Sequence, residues 1–417
     1  MKYLISLLLF FSLPGWAAPR EIDDHHWEGV ERIVAIGDIH GDYEHYMATL
    51  KAAGLIDERG KWAGGVTHLV QNGDIPDRGP DTARIIEQLQ KLTREASKKG
   101  GRVHSLIGNH EAMNVYGDLR YVSAGEYQAF VNKNSAALRD RYYSALMQDL
   151  QKRDPAAFAA LPANSRETWD KDHPLGWVEH RQAWDPAWNP KAEFGLWVMG
   201  HKAAIQINDT LFVHGGISGK YCQNSLKSMT DRVVAGLKAY DPGNSGILED
   251  EYGPLWYRGL SGEAPEAPAE SVQAVLDFNK AARIVVGHTP TSGIIWPRYD
   301  GRVIQIDTGI SSVYGGHVAY LEITPAGLYA GYPNGKVKLP TDPSGLLPYV
   351  EQVAALDPGN THLTDLQKTL SSPAGESEAP TVEAAVDQGA MATDPAAGAA
   401  ENQQAETYAL PICGISE

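Results

Sequence analysis

Apolar residues along this chain fall into short runs separated by amphipathic stretches. Glu31 to Ile36 is a β-rich apolar run, and Asp42 to Ala53 has helical spacing. Val66 to Gln71 is a second candidate strand, Pro80 to Ser97 a helix with a polar face, and Arg102 to Ile107 a third strand. Short apolar runs alternating with helical periodicity predict βαβ units and a largely parallel sheet. The rhythm breaks after Met113. Gly125 to Arg153 reads as helical, with Tyr127, Phe130, Leu138, Tyr142 and Leu146 at mixed three- and four-residue steps. Asn164 to Pro190 then gathers Trp169, His173, Trp177, His180, Trp184 and Trp188. Residues 115–195 are therefore expected to form a largely helical insertion. Strands resume at Ala203 to Ile207, Leu211 to Val213, Arg283 to Val286, Val303 to Ile306 and Val318 to Ile323. That is enough for a second sheet.

The two ends have a different character. The opening MKYLISLLLFFSLPGWAAP has Lys2, an apolar run from Leu4 to Leu13, and small residues Gly15 and Ala17. This is the pattern of a signal peptide over residues 1–17; the competing reading is a buried N-terminal strand or helix. No later segment has the ~18 continuous apolar residues of a membrane helix. The mature chain is expected to be exported, to the periplasm in a Gram-negative cell and otherwise to the medium. From about Ser371 the sequence is rich in Ala, Gly, Pro, Glu and Asp, with no Lys or Arg. Such a tail cannot bury enough apolar surface to order itself and is expected to be disordered.

The formal net charge is −16. Half of it is carried by acidic residues of the tail, from Glu376 to Glu417. The rest of the chain is only mildly acidic, and the balance argues against nucleic acid as a partner. The two cysteines, Cys222 and Cys413, either bridge or stay free; spacing does not choose between these. Nothing in the pattern specifies an oligomer.

Polar motifs sit where the predicted strands end, which is where ligand sites form in α/β sheets. Asp38, Asp74 and Asn109 follow the first three strands at separations of 36 and 35 residues. Consecutive parallel strands lie close together, so these three groups should converge. In GDIHG, Asp38 and His40 offer a carboxylate and an imidazole, and Gly37 and Gly41 permit tight turns. In GDIPDRG, Asp74 has two oxygens to share between two ions, and Arg78 is a planar fork suited to phosphate. An Asp–Arg turn that caps the next helix is the plainer reading. In GNHE, Asn109 offers a carbonyl oxygen, His110 a near-neutral proton donor, and Glu111 a structural carboxylate. HGG with His214 and GHTP with His288 follow later strands. Each histidine alone could be an ordinary loop residue; five such strand ends in this order are a site. The donors are oxygen and nitrogen without thiolate, which suits Mn, Fe, Zn or Mg.

GDIHG, GDIPDRG, GNHE, HGG and GHTP, in that order, resemble the calcineurin-like metallophosphoesterases. The DRG and GNHE forms look like the phosphoprotein phosphatase branch, and the HGGI start and long insertion like its Shewanella-like phosphatases. The motifs span roughly Ile33 to Asp307. The resemblance implies a four-layer α/β-β/α sandwich as a catalytic domain over 18–345, followed by an extension over 346–417. It implies two divalent or trivalent ions, Mn before Fe, Zn or Mg. Asp38, His40 and Asp74 would hold one, and Asp74, Asn109, His214 and His288 the other. His110 would be the general acid, oriented by Asp77, and Arg78 and Arg258 would hold the phosphate. Asp77 follows Pro76 where the branch more often has Val, and Tyr314 is the position that could serve as the branch's active-site tyrosine. The implied reaction is in-line hydrolysis of a phosphate monoester by a metal-bridging hydroxide, on phosphotyrosine, other phosphoproteins or peptides, or small phosphate esters.

Neither cysteine has an arginine six residues on, Ser228 standing there after Cys222, so a cysteine-dependent phosphatase is excluded. The superfamily also contains nucleotidases and dinucleoside polyphosphate hydrolases, and a Trp-rich insertion suits a stacked base as well as plain packing. A non-catalytic binding protein on this fold would show a degraded ligand set, and here every position is intact.

Overall fold

The computed structural model describes residues 20–263 and 265–372 together with Cys413. The expected signal peptide, and the acidic tail apart from Cys413, lie outside the described residues. Among the described residues, thirteen strands form two sheets. They are β1 (Arg20–Asp23), β2 (His26–Glu28), β3 (Ile33–Ile36), β4 (His68–Gln71), β5 (Arg102–Ser105), β6 (Ala204–Ile207), β7 (Thr210–Val213), β8 (Arg283–Val286), β9 (Trp296–Arg298), β10 (Val303–Gln305), β11 (Tyr320–Thr324), β12 (Gly327–Tyr332) and β13 (Gly335–Lys338). One sheet runs β13-β12-β11-β3-β4-β5, the other β1-β2-β6-β7-β8-β10-β9.

The predicted βαβ units are present. β3, β4 and β5 pair in parallel, connected by α1 (Tyr43–Ala52) and α2 (Thr82–Ser97). Asp42 caps α1 by accepting the N–H of His45, which satisfies one of the orphan donors of a helix start. The sheets are mixed rather than parallel throughout. β11 runs antiparallel to β3 and continues into the β12–β13 meander. In the other sheet β6 and β7 form a hairpin, and β7, β8 and β10 are parallel.

The layering follows from the alternation of side chains along the strands. Ile33 and Ala35 of β3, Phe212 of β7 and Val285 of β8 share one core cluster. Their neighbours Val34, Ile36, Leu211, Val213, Ile284 and Val286 belong to another, with the helices. One set of faces packs sheet on sheet, and the opposite faces pack under helices such as α2. The result is the expected helix–sheet–sheet–helix sandwich.

Between α3 (Asn109–Tyr116) and β6 lies a helical segment: α4 (Ala124–Ala129), α5 (Ser135–Arg153), α6 (Pro155–Ala159), α7 (Ser165–Asp172), α8 (Trp177–Trp184) and α9 (Glu193–Val198). The single helix expected over Gly125 to Arg153 is two. Asn132 Oδ1 accepts the N–H of Asn134, and Ser135 Oγ that of Asn132. These side chains offer the backbone an alternative to the helix at that point. The tryptophans of the segment pack on one another and on histidines. Trp169 stacks on His173 at 4.3 Å, Trp177 is buried against Tyr127 and Val178, and Trp184 is wholly buried.

In the second half, α10 (Leu226–Lys238) and α11 (Ala269–Asn279) are the outer helices. The chain then closes with α12 (Leu346–Leu356) and α13 (Thr361–Ser371), whose Tyr349, Val350, Val353, Leu363 and Leu366 join the core that includes the sheet–sheet contact. Cys222 and Cys413 are joined by a disulfide, with Cα atoms 5.8 Å apart.

Candidate active site

Five strands from both sheets end on one patch. Asp38 follows β3, Asp74 follows β4, Asn109 follows β5, His214 follows β7 and His288 follows β8. The chain turns sharply at these ends. Ten non-glycine residues among those described have positive φ, and His40 (46°), Asp74 (56°), Asp77 (73°), Arg78 (66°) and His288 (68°) are five of them. Such conformations cost roughly 1–3 kcal/mol each and persist only where surrounding bonds over-determine them. Here the loops hold one another: the N–H groups of Ile39 and His40 donate to Asp74 O at 2.9 and 3.1 Å, and that of Gly41 to Ile75 O at 2.8 Å.

The histidines are aimed by what their other nitrogen does. His40 Nδ1 faces Pro76 O at 3.1 Å, and His214 Nδ1 faces Asn72 O at 2.9 Å. A carbonyl only accepts, so each Nδ1 carries a proton and each Nε2 faces inward. Around His214 Nε2 stand Asn109 Oδ1 at 2.9 Å, His288 Nδ1 at 3.2 Å and Asp74 Oδ1 at 3.3 Å. Four potential metal-ligating atoms converge. That arrangement is repulsive unless a cation or a proton sits among them. Ligands about 2.0–2.2 Å from one transition-metal ion lie roughly 3 Å apart, which these spacings match. His288 Nε2 is buried and has no hydrogen-bond partner.

A second group lies on the other side of Asp74. His40 Nε2 and His110 Nε2 each stand 3.8 Å from Asp74 Oδ2, and His40 Nε2 is 4.0 Å from Asp38 Oδ2. Two triads therefore share Asp74: His40–Asp74–His110 and Asp74–His214–His288, each with its donor atoms within 4.8 Å of one another. Asp38 belongs to neither triad at that spacing; its oxygens accept the N–H of His288 at 3.2 and 3.1 Å.

The electrostatics also call for positive charge. Burial, then the carboxylates of Asp307 and Asp74, push Asp38 well above the usual carboxylate range. Burial pushes Asp307 up to about 6. For Asp74 burial acts in the same direction, but His214 and His110 outweigh it and hold the group well below its ordinary value. Burial and the neighbouring His110 lower His40 to about 4, so it is neutral and its Nε2 is free to ligate. For His110 burial favours the neutral ring, yet Asp74 and the Asp77 hydrogen bond overcome it and raise the pKa.

His110 Nδ1 and Asp77 Oδ2 are 2.5 Å apart, and Asn114 donates to Asp77 Oδ1 at 3.0 Å. His110 Nε2 is left facing the cluster. Glu111 accepts three backbone N–H groups, those of Gly108 and Asp74 at Oε2 (2.7 and 2.8 Å) and of Ile75 at Oε1 (2.7 Å). It ties two motifs together, the structural part read for it. Arg78 lies over the Tyr121 ring at 4.1 Å. Arg258 Nη1 donates to His288 O at 2.7 Å and Thr289 Oγ1 at 3.0 Å, and is 3.4 Å from Glu263. Arg258 also lines a cleft beside the cluster. Tyr314 packs against His40 at 5.2 Å.

Residues 31–292 match the calcineurin-like phosphoesterase family. The chain is a calcineurin-like phosphoesterase. It is similar to Shewanella-like protein phosphatase 2 of Arabidopsis thaliana, 30% identical over 302 residues, covering 71% of this chain and 75% of that one. It is also similar to Shewanella-like protein phosphatase 1 of Plasmodium berghei, 28% identical over 299 residues and 69% of each chain. Among solved structures it resembles a cold-active protein-tyrosine phosphatase of a psychrophilic Shewanella species, with 27% identity, a TM-score of 0.58, and coverage of 76% of this chain and 83% of that one. The phosphoesterase is thus a metal-dependent hydrolase of phosphate monoesters.

Several residues at the phosphoesterase site carried no sequence signal. Tyr121 sits between Arg78 and His110, 5.1 Å from the imidazole. Glu126 of the insertion accepts the N–H of Asp77 at 3.2 Å and meets His180 Nε2 at 3.3 Å, all three buried. Asp307 follows β10 and crowds Asp38. A cleft of about 450 Å³ opens beside the cluster, between Met113 and Tyr121 on one side and Trp256, Tyr257 and Arg258 on the other.

Gly108 shows why the motifs begin with glycine. A Cβ there would collide with Asp74 Oδ1 and stand 2.6 Å from Asp74 N. Gly108→Ala should therefore lower stability by about 1–3 kcal/mol and reduce bound metal. Thermal melting together with elemental analysis checks this; unchanged metal content would show that Asp74 can move without cost.

Proposed function

We propose that this phosphoesterase dephosphorylates phosphotyrosine in proteins or peptides. The observation that carries the reading is the shared Asp74, flanked by two triads and by the His110–Asp77 pair. Asp38, His40 and Asp74 would hold one ion, and Asp74, Asn109, His214 and His288 the other, manganese in our reading. When bound, the two cations supply a water ionised at neutral pH and positive charge facing the phosphoryl oxygens. The chain's own residues do the rest. Arg78 and Arg258 orient the phosphoryl group. His110 Nε2 gives its proton to the leaving phenolate oxygen while Asp77 keeps the ring in place.

Two observations favour an aromatic leaving group. The similar Shewanella protein is a cold-active protein-tyrosine phosphatase. The cleft beside the cluster has aromatic walls, Tyr116, Tyr121, Tyr252, Trp256 and Tyr257, which suit a phenol ring. The insertion's tryptophans pack on neighbouring rings, Trp169 on His173 and Trp184 on Phe194, which favours a packing role over base stacking.

We further infer export, for which the Cys222–Cys413 bridge is the support, since such bonds persist in oxidising compartments. No helix among the described residues is long and apolar enough to cross a membrane.

The test is a side-by-side assay of manganese-loaded protein on phosphotyrosine peptides and nucleoside monophosphates. Preference for the peptides is expected; preference for the nucleotides would replace this reading with a nucleotidase. Arg258→Ala should weaken inhibition by inorganic phosphate roughly 10–100-fold, the loss of a charge-assisted hydrogen bond. An unchanged inhibition constant would remove Arg258 from the phosphate site.

A further inference from the structure

The cleft is not neutral at its rim. Asp118, Glu249, Glu251 and Glu263 line it, against only Arg120 and Arg258. Both cations are already engaged. Arg120 grips Asp118 with a fork, Nε to Oδ1 at 3.0 Å and Nη2 to Oδ2 at 2.6 Å. Arg258 lies 3.4 Å from Glu263.

Glu249 and Glu251 are left over. Glu249 accepts from Tyr240 Oη at 2.9 Å, and Tyr240 stacks on Tyr116 at 4.1 Å with the rings nearly parallel. Its carboxylate is thus held in place by a neutral donor. Among the described residues no lysine, arginine or histidine pairs with either glutamate. Lys220, which precedes α10, is committed to the intervening acid: it pairs with Asp250 at 2.6 Å. A rim on which two carboxylates, one of them held by Tyr240, stand without counter-charge beside a site that must receive a phosphate is a selective feature. It repels acidic neighbours of the phosphorylated residue and attracts basic ones.

We infer that the cleft beside the metal cluster is the docking site for the peptide around the phosphotyrosine, and that Glu249 and Glu251 select substrates with a lysine or arginine next to it. This rests on the phosphotyrosine reading above. The tyrosine ring lies along the aromatic wall, its phosphoryl group reaches Arg258, and the flanking cation meets the two carboxylates. Exposed pairs of this kind are individually weak and screened by salt, so the effect is one of preference among substrates.

The experiment compares three phosphotyrosine peptides of one length, with Arg, Ala or Glu beside the phosphotyrosine, on the full manganese-loaded protein and on E249Q, E251Q and the double variant. Gln keeps an oxygen for Tyr240, so the fold around Tyr116 is retained. Each kcat/KM is normalised to the same protein's value on p-nitrophenyl phosphate. The wild type should rank Arg above Ala above Glu, with roughly three- to tenfold between Arg and Ala. The ranking should shrink in the single variants, flatten in the double variant, and fade as salt is raised. Equal rates on all three peptides, or a ranking that survives in the double variant, overturns the inference while leaving the phosphotyrosine reading intact. Turnover of p-nitrophenyl phosphate with none of the peptides hydrolysed overturns both.

Discussion

Replacing Asp74 with asparagine should cost roughly three orders of magnitude in kcat/KM on p-nitrophenyl phosphate, and most of the bound metal. No other side chain stands in both triads. Its Oδ1 is 3.3 Å from His214 Nε2 and accepts the N–H of His110 at 3.0 Å, and its Oδ2 faces His40 and His110. Asparagine removes the charge and turns an NH₂ toward atoms that present lone pairs. The backbone should tolerate the change, since φ is 56° there and asparagine adopts that region more readily than most residues. The variant should therefore be folded by circular dichroism yet poor in metal and inactive. Full occupancy of two ions, with activity retained, would show that Asp74 is not shared between them.

The second large effect is at His110. His110→Ala should lower kcat roughly 10²–10⁴-fold on phosphotyrosine peptides, and less on p-nitrophenyl phosphate, whose leaving group needs no proton. Metal content should stay at the wild-type level. The geometry makes this a sharp test, because His110 Nε2 also lies within reach of His40 and Asp74. Loss of one ion in the alanine variant would make His110 a ligand and leave the leaving-group proton to another donor. Loss of turnover with both ions in place assigns it the proton.

The convergence of Asp38, Asp74 and Asn109 was legible because it follows from local facts. Each residue ends an apolar run, and parallel neighbours bring their ends together. His214 and His288 were legible for the same reason, though they come from the other sheet. Asp307 was not. It follows an apolar run like the rest, but no motif marks it, and its effect on Asp38 depends on packing across the full length of the domain. Tyr121, Glu126 and His180 were hidden differently. They lie in the insertion, where the pattern showed helix and a Trp- and His-rich stretch but no ligand motif, and they steady Arg78 and Asp77 from outside the motifs. The fold shows the same division. The βαβαβ half was clear from periodicity, whereas the edge strands β9 and β13 are short and weakly apolar. The apolar spacing of Leu346 to Leu356 belongs to a helix that packs on the core, a fact that periodicity alone does not reveal.

The Cys222–Cys413 bond gives the molecule an unusual covalent outline. It closes a ring across 191 positions of sequence and hitches the far end of the chain to the segment just after His214. A protease that cuts once between Ser372 and Cys413 would release nothing: the two pieces would migrate together on a non-reducing gel and separate only after a thiol is added. A purification tag placed after Glu417 would likewise be anchored four residues from that bond, so reducing agents would change where the tag sits as well as whether the bridge is made.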